Sequence, residues 1–148
     1  MPLNRDLREF IELLNSRRVD YVIVGAHCLA FHGRPRYTGD LDILIQPTAA
    51  NATRLLELLH SFGFSDARFD PSDFTQTEQV IQLGRPPNRI DLLTSLTGVS
   101  TGAAFSSKIA AEIDGVPVFV LSKEMLIQNK RAVGRPQDLA DLEHLDPS

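Results

Sequence analysis

Three aspartates carry the chemistry available to this sequence. Asp40 and Asp42 open the stretch TGDLDILI, residues 38–45, and Asp91 lies between Ile90 and Leu92 in RIDLLTSL, residues 89–96. On a strand, alternate side chains share a face, so Asp40 and Asp42 point the same way, roughly 6.6 Å apart along the backbone. At an effective dielectric of about 20 their repulsion is roughly 2 to 3 kcal/mol, so either water screens the pair at an exposed strand end or a cation sits between them. Asp91, on a later apolar strand, can join the pair on one sheet face. Hard oxygen ligands of this kind suit Mg2+ or Mn2+, and two such ions activate an attacking oxygen while steadying a departing pyrophosphate. An Asp-X-Asp by itself marks a solvated strand end far more often than a metal site, so the inference rests on the combination.

The elements that would position these acids are legible around them. The run VDYVIVGAH, residues 19–27, reads as a buried strand that turns at Gly25 into a short helical segment over 27–32. Glycine there lets backbone N–H groups approach an anion, and a helix start favours phosphate. GRPRYTG is a loop that delivers the chain to the strand at 40–45, and Thr48 caps a helix whose Leu55, Leu56, Leu58, Leu59 and Phe62 mark a buried face. Leu3, Leu7, Phe10, Ile11 and Leu14 predict an amphipathic first helix broken at Asn15-Ser16.

Residues 65–77 are polar and predict no element, whereas 78–83 and 89–95 read as neighbouring strands joined by GRPPN. A helix is expected over 102–112, then a turn at Asp114-Gly115, an edge strand over 116–121 interrupted by Pro117, a helix from Ser122 to Ala132, and a last helix over 136–145. The expectation is an α+β fold: a small mixed sheet of about four to five strands with helices packed against it. It fills one domain over 1–148, with a core at about 19–121 and C-terminal helices at 122–145.

Gly-Arg-Pro recurs at 33, 84 and 134, but its flanks differ in kind, so no structural repeat follows. GRPRYTGD and GRPPNRID do each place an aspartate seven residues after the glycine, which brings Arg34, Arg36, Arg85 and Arg89 near acid-bearing strands as a potential basic rim. With a net charge of −4 the protein as a whole is no electrostatic magnet for nucleic acid. A single cysteine, Cys28, excludes an internal disulfide and a cysteine-based zinc site and suggests a reducing, cytoplasmic setting; no apolar run approaches membrane-spanning length.

The order of strand, Gly-Ala, short helix, DLD at a strand entrance and a lone Asp on a later strand resembles the minimal nucleotidyltransferases of the DNA polymerase β-like superfamily. SKEMLIQNKRAVGRPQDLADLEHL similarly looks like the closing helices of bacterial toxin-antitoxin and abortive-infection nucleotidyltransferases. The resemblance implies that Asp40 and Asp42 coordinate two metal ions and that Asp91 is the third ligand, placed to help deprotonate an acceptor hydroxyl. It further implies that Gly25 and Ala26 hold the phosphates of an NTP, and that a basic residue of the C-terminal helices, Lys130 ahead of Arg131 and Arg135, reaches the triphosphate. Ala26 departs from the serine many members carry, and the GRPRYTG loop lengthens the interval to Asp40.

His27, His32 and Cys28, beside packed apolar residues, read as structural, and Asp138 and Asp141 as acids near a helix start. The activity implied is NTP-dependent, pyrophosphate-releasing transfer of a nucleoside monophosphate to a hydroxyl, on RNA such as tRNA or on a partner toxin or antitoxin protein. The alternative is a non-catalytic interaction module that retains the fold.

Overall fold

In the computed structural model, residues 3–36, 38–63 and 69–145 are described. Their order is α1 (Arg5–Ser16), β1 (Tyr21–Val24), α2 (Gly25–Phe31), β2 (Asp40–Ile45), α3 (Ala49–Ser61), a 3-10 turn (Pro71–Phe74), β3 (Val80–Leu83), β4 (Arg89–Leu93), α4 (Thr101–Ser106), β5 (Ile109–Ile113), β6 (Val116–Val120), α5 (Lys123–Val133) and α6 (Pro136–Leu145). The strands form one mixed sheet in the order β3-β4-β2-β1-β6-β5. Pairing is parallel for β2 with β4 and β1 with β6, and antiparallel for the other neighbours.

Period-two alternation decides which layer each side chain joins. On β2, Leu41, Ile43 and Ile45 pack with Phe10, Ile11 and Leu14 of α1 and with Leu55, Leu58 and Leu59 of α3. The opposite face carries Asp40, Asp42 and Leu44, and Leu44 packs with Cys28 and Leu29 of α2, Leu126 of α5 and Leu145 of α6. The sheet is therefore covered on both faces, and the two aspartates share a face with the C-terminal helices. Among the described residues no helix is long and apolar enough to cross a membrane.

Helix ends follow their capping residues. Asn4, Thr48, Ser100 and Ser122 each accept a backbone N–H of the first turn, at the starts of α1, α3, α4 and α5. Asn15 and Ser16 do not end α1, which runs through Ser16 because nothing there forbids helical backbone. Of the polar stretch 65–77, residues 65–68 lie outside the described residues, while Asp70 and Asp73 form a reciprocal capping box on the 3-10 turn.

Two expectations change. The sheet has six strands because 102–112 is not one helix: α4 stops at Ser106 and Ile109–Ile113 forms β5. Ile109, Ala111 and Ile113 alternate with the exposed Ala110 and Glu112, and the Asp114-Gly115 turn folds β5 onto β6, so hairpin pairing overrides the helical preference of the alanines. Likewise β6 is not an edge strand, since it lies between β1 and β5. Pro117 is tolerated because β1 pairs with β6 at Val120, beyond the proline, and the Pro117 carbonyl accepts from Asn15 Nδ2 at 2.7 Å.

One buried side chain joins three elements next to the site-bearing strands. Asn51 on α3 is 0% exposed; its Oδ1 accepts from Asp20 N at 2.7 Å, and its Nδ2 donates to Asp20 O at 2.9 Å and Gln46 O at 3.0 Å. It thereby ties the entrance of β1 to the exit of β2. Asn51→Ala leaves the Asp20 N–H unpaired and removes one of two hydrogen bonds from each of the Asp20 and Gln46 carbonyls, and urea denaturation is expected to show a loss of about 2 kcal/mol with an unchanged m-value.

Candidate metal centre

The parallel register of β2 and β4 builds the site. It sets Asp42 opposite Asp91 and Asp40 opposite Arg89, while the antiparallel partner β1 sets Val24 opposite Asp42 on the other side. One carboxylate oxygen from each of Asp40, Asp42 and Asp91 lies within 4.8 Å of the others, a spacing that a divalent ion can span. The sequence-predicted triad is thus brought together on one face.

Its hydrogen bonding is incomplete. Thr38 Oγ1 donates to Asp40 Oδ1 at 2.5 Å, and Arg89 Nη2 donates to Asp40 Oδ2 at 2.8 Å and Asp91 Oδ2 at 3.1 Å. Asp91 is 6% exposed, and its Oδ1 is buried without a hydrogen-bond partner. A buried carboxylate oxygen left unpaired is costly, and a cation would satisfy it. Burial above all, then the charges of Asp40 and Asp91 and a hydrogen bond to Asp91, push the Asp42 carboxyl up to about 7, against the pull of Arg89.

Gly25 is required by this arrangement in a way the sequence did not suggest. Its φ is +68°, and a Cβ placed there would lie 2.1 Å from Asp42 Oδ2. The glycine clears space for a ligand carboxylate as well as turning β1 into α2. Ala26 follows on the first turn of α2, half-buried.

Beside Asp42 opens a cleft of about 870 Å³, lined by Val24, Gly25 and Asp42 and also by Lys130, Arg135 and Asp138. Its flank comes from the strand entrance at Glu78 to Val80 and the turn at Ser95 to Gly98. Gly98, at φ +76°, lets that turn sit against α5, since a Cβ would come within 2.3 Å of Ala132 Cβ.

Lys130 lines this cleft, but it does not extend freely into it. It is 6% exposed, with Nζ 3.2 Å from Asp138 Oδ1 and 3.1 Å from Asp141 Oδ2. Asp138 also accepts from Arg135 Nε at 2.7 Å, and Asp141 from Arg34 Nε at 2.7 Å and Arg36 Nη1 at 2.8 Å. The hydrogen bond from Arg135 is the main influence that holds the Asp138 carboxyl down at about 2, with Lys130 helping against burial. For Asp141 burial opposes ionisation, but Arg34 and Lys130 outweigh it and keep its carboxyl below the usual range.

Asp138 and Asp141 are therefore the buried centre of an ionic cluster, not solvated helix-start acids. The basic rim expected of Arg34, Arg36, Arg85 and Arg89 is largely consumed: two of these arginines bind Asp141, Arg89 binds the triad, and Arg85 is exposed. Arg131 is exposed on α5 and lines a different hollow with Lys123 and Glu124.

Of the remaining candidates, His32 and Cys28 bond to the backbone, whereas His27 lies near Asp40 with a buried, unpartnered Nδ1. His32 Nε2 lies 2.8 Å from Leu121 O. Cys28, 0% exposed, donates to the same carbonyl, and burial pushes its thiol up to about 12. His27 is 4% exposed; burial lowers its pKa, while the nearby Asp40 raises it. The residue that sequence reasoning undervalued is Arg89. Its signal was the spacing Arg-Ile-Asp, which puts Arg89 and Asp91 on one face of a strand.

No family profile matches this sequence, and no curated protein matches it. Solved structures do share its fold. A candidate nucleotidyltransferase of Thermotoga maritima is 20% identical with a TM-score of 0.62, over 95% of this chain and 89% of that one. An antigenic nucleotidyltransferase-like protein of Paracoccidioides brasiliensis is 21% identical with a TM-score of 0.58, over 99% of this chain and 78% of that one. The fold is thus nucleotidyltransferase-like, as the resemblance in the sequence implied.

The raised Asp42 pKa has a definite sign in the metal-free protein. The folded state keeps a proton on Asp42 up to about pH 7 that the unfolded chain releases near 3.8, so this group's contribution is full below that lower value and is lost as pH rises through 7. The melting temperature without metal is expected to fall between about pH 4 and pH 7. Asp42→Asn, which keeps the shape of the neutral acid, should flatten that slope; scanning fluorimetry across pH checks both.

Proposed function

We propose that this protein is a divalent-metal-dependent nucleotidyltransferase that moves a nucleoside monophosphate from an NTP onto an acceptor hydroxyl and releases pyrophosphate. The observation that carries the reading is the triad: Asp40, Asp42 and Asp91 within ligand distance of one another, with an unpaired buried oxygen on Asp91, beside a cleft. The nucleotidyltransferase-like fold supports the same class. Mg2+ or Mn2+, held by the three carboxylates, would supply charge neutralisation for the entering and leaving oxygens.

The chain's own groups would do the rest. Gly25 leaves room for Asp42 and for the phosphates at the turn into α2, with Ala26 offering backbone contact only. Asp91 would ligate an ion and help take the acceptor's proton as the acceptor oxygen bonds to the α-phosphorus and the bond to the β-phosphate oxygen breaks. Lys130 and Arg135, which line the same cleft as Asp42, would face the departing pyrophosphate.

A protein hydroxyl is the acceptor we favour over RNA. Extended RNA binding needs a face of free cations, and Arg34, Arg36 and Arg89 are already engaged by carboxylates. The likeness of the C-terminal sequence to toxin-antitoxin nucleotidyltransferases supports a partner toxin or antitoxin as that protein. The lone buried Cys28 is consistent with a cytoplasmic setting.

Incubation with Mg2+, each α-labelled NTP and either lysate protein or total RNA tests the proposal. Label is expected in a protein band, and the Asp40→Asn, Asp42→Asn double variant should lose roughly a hundredfold or more of the rate. Transfer that survives the double substitution refutes the metal-site assignment, and label appearing in RNA instead moves the acceptor. Gly25→Ala, which drives a methyl group into the Asp42 carboxylate, should fall nearly as far while remaining folded by circular dichroism.

A further inference from the structure

Arg89 stands where a cation belongs. Register places its Cα opposite that of Asp40, and Nη2 reaches Asp40 Oδ2 at 2.8 Å and Asp91 Oδ2 at 3.1 Å, so one guanidinium straddles two of the three acids. The fit is poor by hydrogen-bond criteria. Arg89 Nε is buried without a partner, and so is Asp91 Oδ1. A guanidinium locked into a permanent structural pair would turn its fork onto a carboxylate with both donors used. Here a single nitrogen is shared between two carboxylates, and one oxygen of Asp91 is left over.

Charge makes the same point. With all three carboxylates engaged as ligands, the one arginine leaves the site two negative charges, which one divalent ion balances and a second would overshoot. Room for the side chain to withdraw exists: a hollow of about 240 Å³ lined by Gly39, Asp40, Pro86 and Arg89 opens beside the guanidinium.

We propose that Arg89 is a built-in counter-ion of the triad, which competes with divalent cations for Asp40 and Asp91 and thereby limits the nucleotide-free protein to a single divalent ion. The inference rests on the metal-site reading above, and it concerns metal stoichiometry and affinity, not turnover. Arg89 is a positioning residue here: it holds Asp40 and Asp91 together on one face and weakens metal loading.

Mn2+ titration of the nucleotide-free full chain, with free Mn2+ counted by electron paramagnetic resonance, decides it. Wild type is expected to bind one ion. Arg89→Gln should bind Mn2+ about tenfold or more tightly and take up a second ion, because a competing positive charge has gone. Arg89→Lys, which keeps the charge, should stay at one. Melting temperatures add a readout independent of turnover: Arg89→Gln should be destabilised without metal and recover with Mn2+, whereas a merely structural arginine would leave a deficit in both conditions.

Two ions on nucleotide-free wild type overturn the proposal even if Arg89→Gln fails to fold. Equal affinity and stoichiometry in wild type and Arg89→Gln overturn it while leaving the metal site intact. No Mn2+ bound by any of the three proteins overturns the metal site itself, and this inference with it.

Discussion

The parallel pairing of β2 with β4 is the constraint on which the rest depends. It puts like charges side by side: Asp42 faces Asp91 across the ladder, and Asp40 stands two residues before Asp42 on the same face. Nothing in sheet geometry favours that concentration. What holds it is the other face of the same strand, where Leu41, Ile43 and Ile45 are each 0% exposed. Burying a side chain of this size contributes roughly 1.5 to 3 kcal/mol, so the three together exceed the repulsion of one carboxylate pair several-fold. A one-residue slip would drive the acids into the apolar layer against α1 and α3, so the register is fixed by hydrophobic burial and the electrostatic strain is carried locally.

A second ionic centre has the opposite polarity. Asp138 and Asp141, 1% and 0% exposed, gather Lys130, Arg34, Arg36 and Arg135, so four cations surround two acids. These contacts fasten α6 to α5 and to the loop before β2, the same loop that leads into Asp40. Removing one partner from such a buried cluster is expensive, which makes it a structural clamp. Lys130, Arg135 and Asp138 of this cluster line the same cleft as Asp42, so the two ionic centres share one cavity.

Much of this was legible in sequence, and the reasons differ by element. The Asp-Leu-Asp face, the strand turning at Gly25, the caps at Thr48 and Ser122 and the helix beginning at Pro136 are local signals, set by period, capping and backbone freedom. The β5 strand was hidden because Ala110 and Ala111 favour helix, and only pairing with β6 resolves the ambiguity. Pairings of Arg34 and Arg36 with Asp141 span more than a hundred residues, and no spacing rule reaches that far. Arg89 is intermediate. Its share of the face with Asp91 follows from period two, but its contact with Asp40 needed the β2–β4 register.

The burial of Lys130 changes what a cation lining this cleft can do. A lysine free to reach a ligand pays for its ordering when the ligand binds, whereas Lys130 is already fixed by Asp138 and Asp141. Its charge is partly spent on those acids, but Arg34, Arg36 and Arg135 share the load, so the cluster as a whole stays positive. Preorganised charge of this kind stabilises a developing anion without reorganisation at the moment of reaction. The acidic triad is preorganised by the same logic from the other side, through strand anchoring and Arg89. Both ionic centres on the cleft therefore hold their charges in place before any ligand arrives.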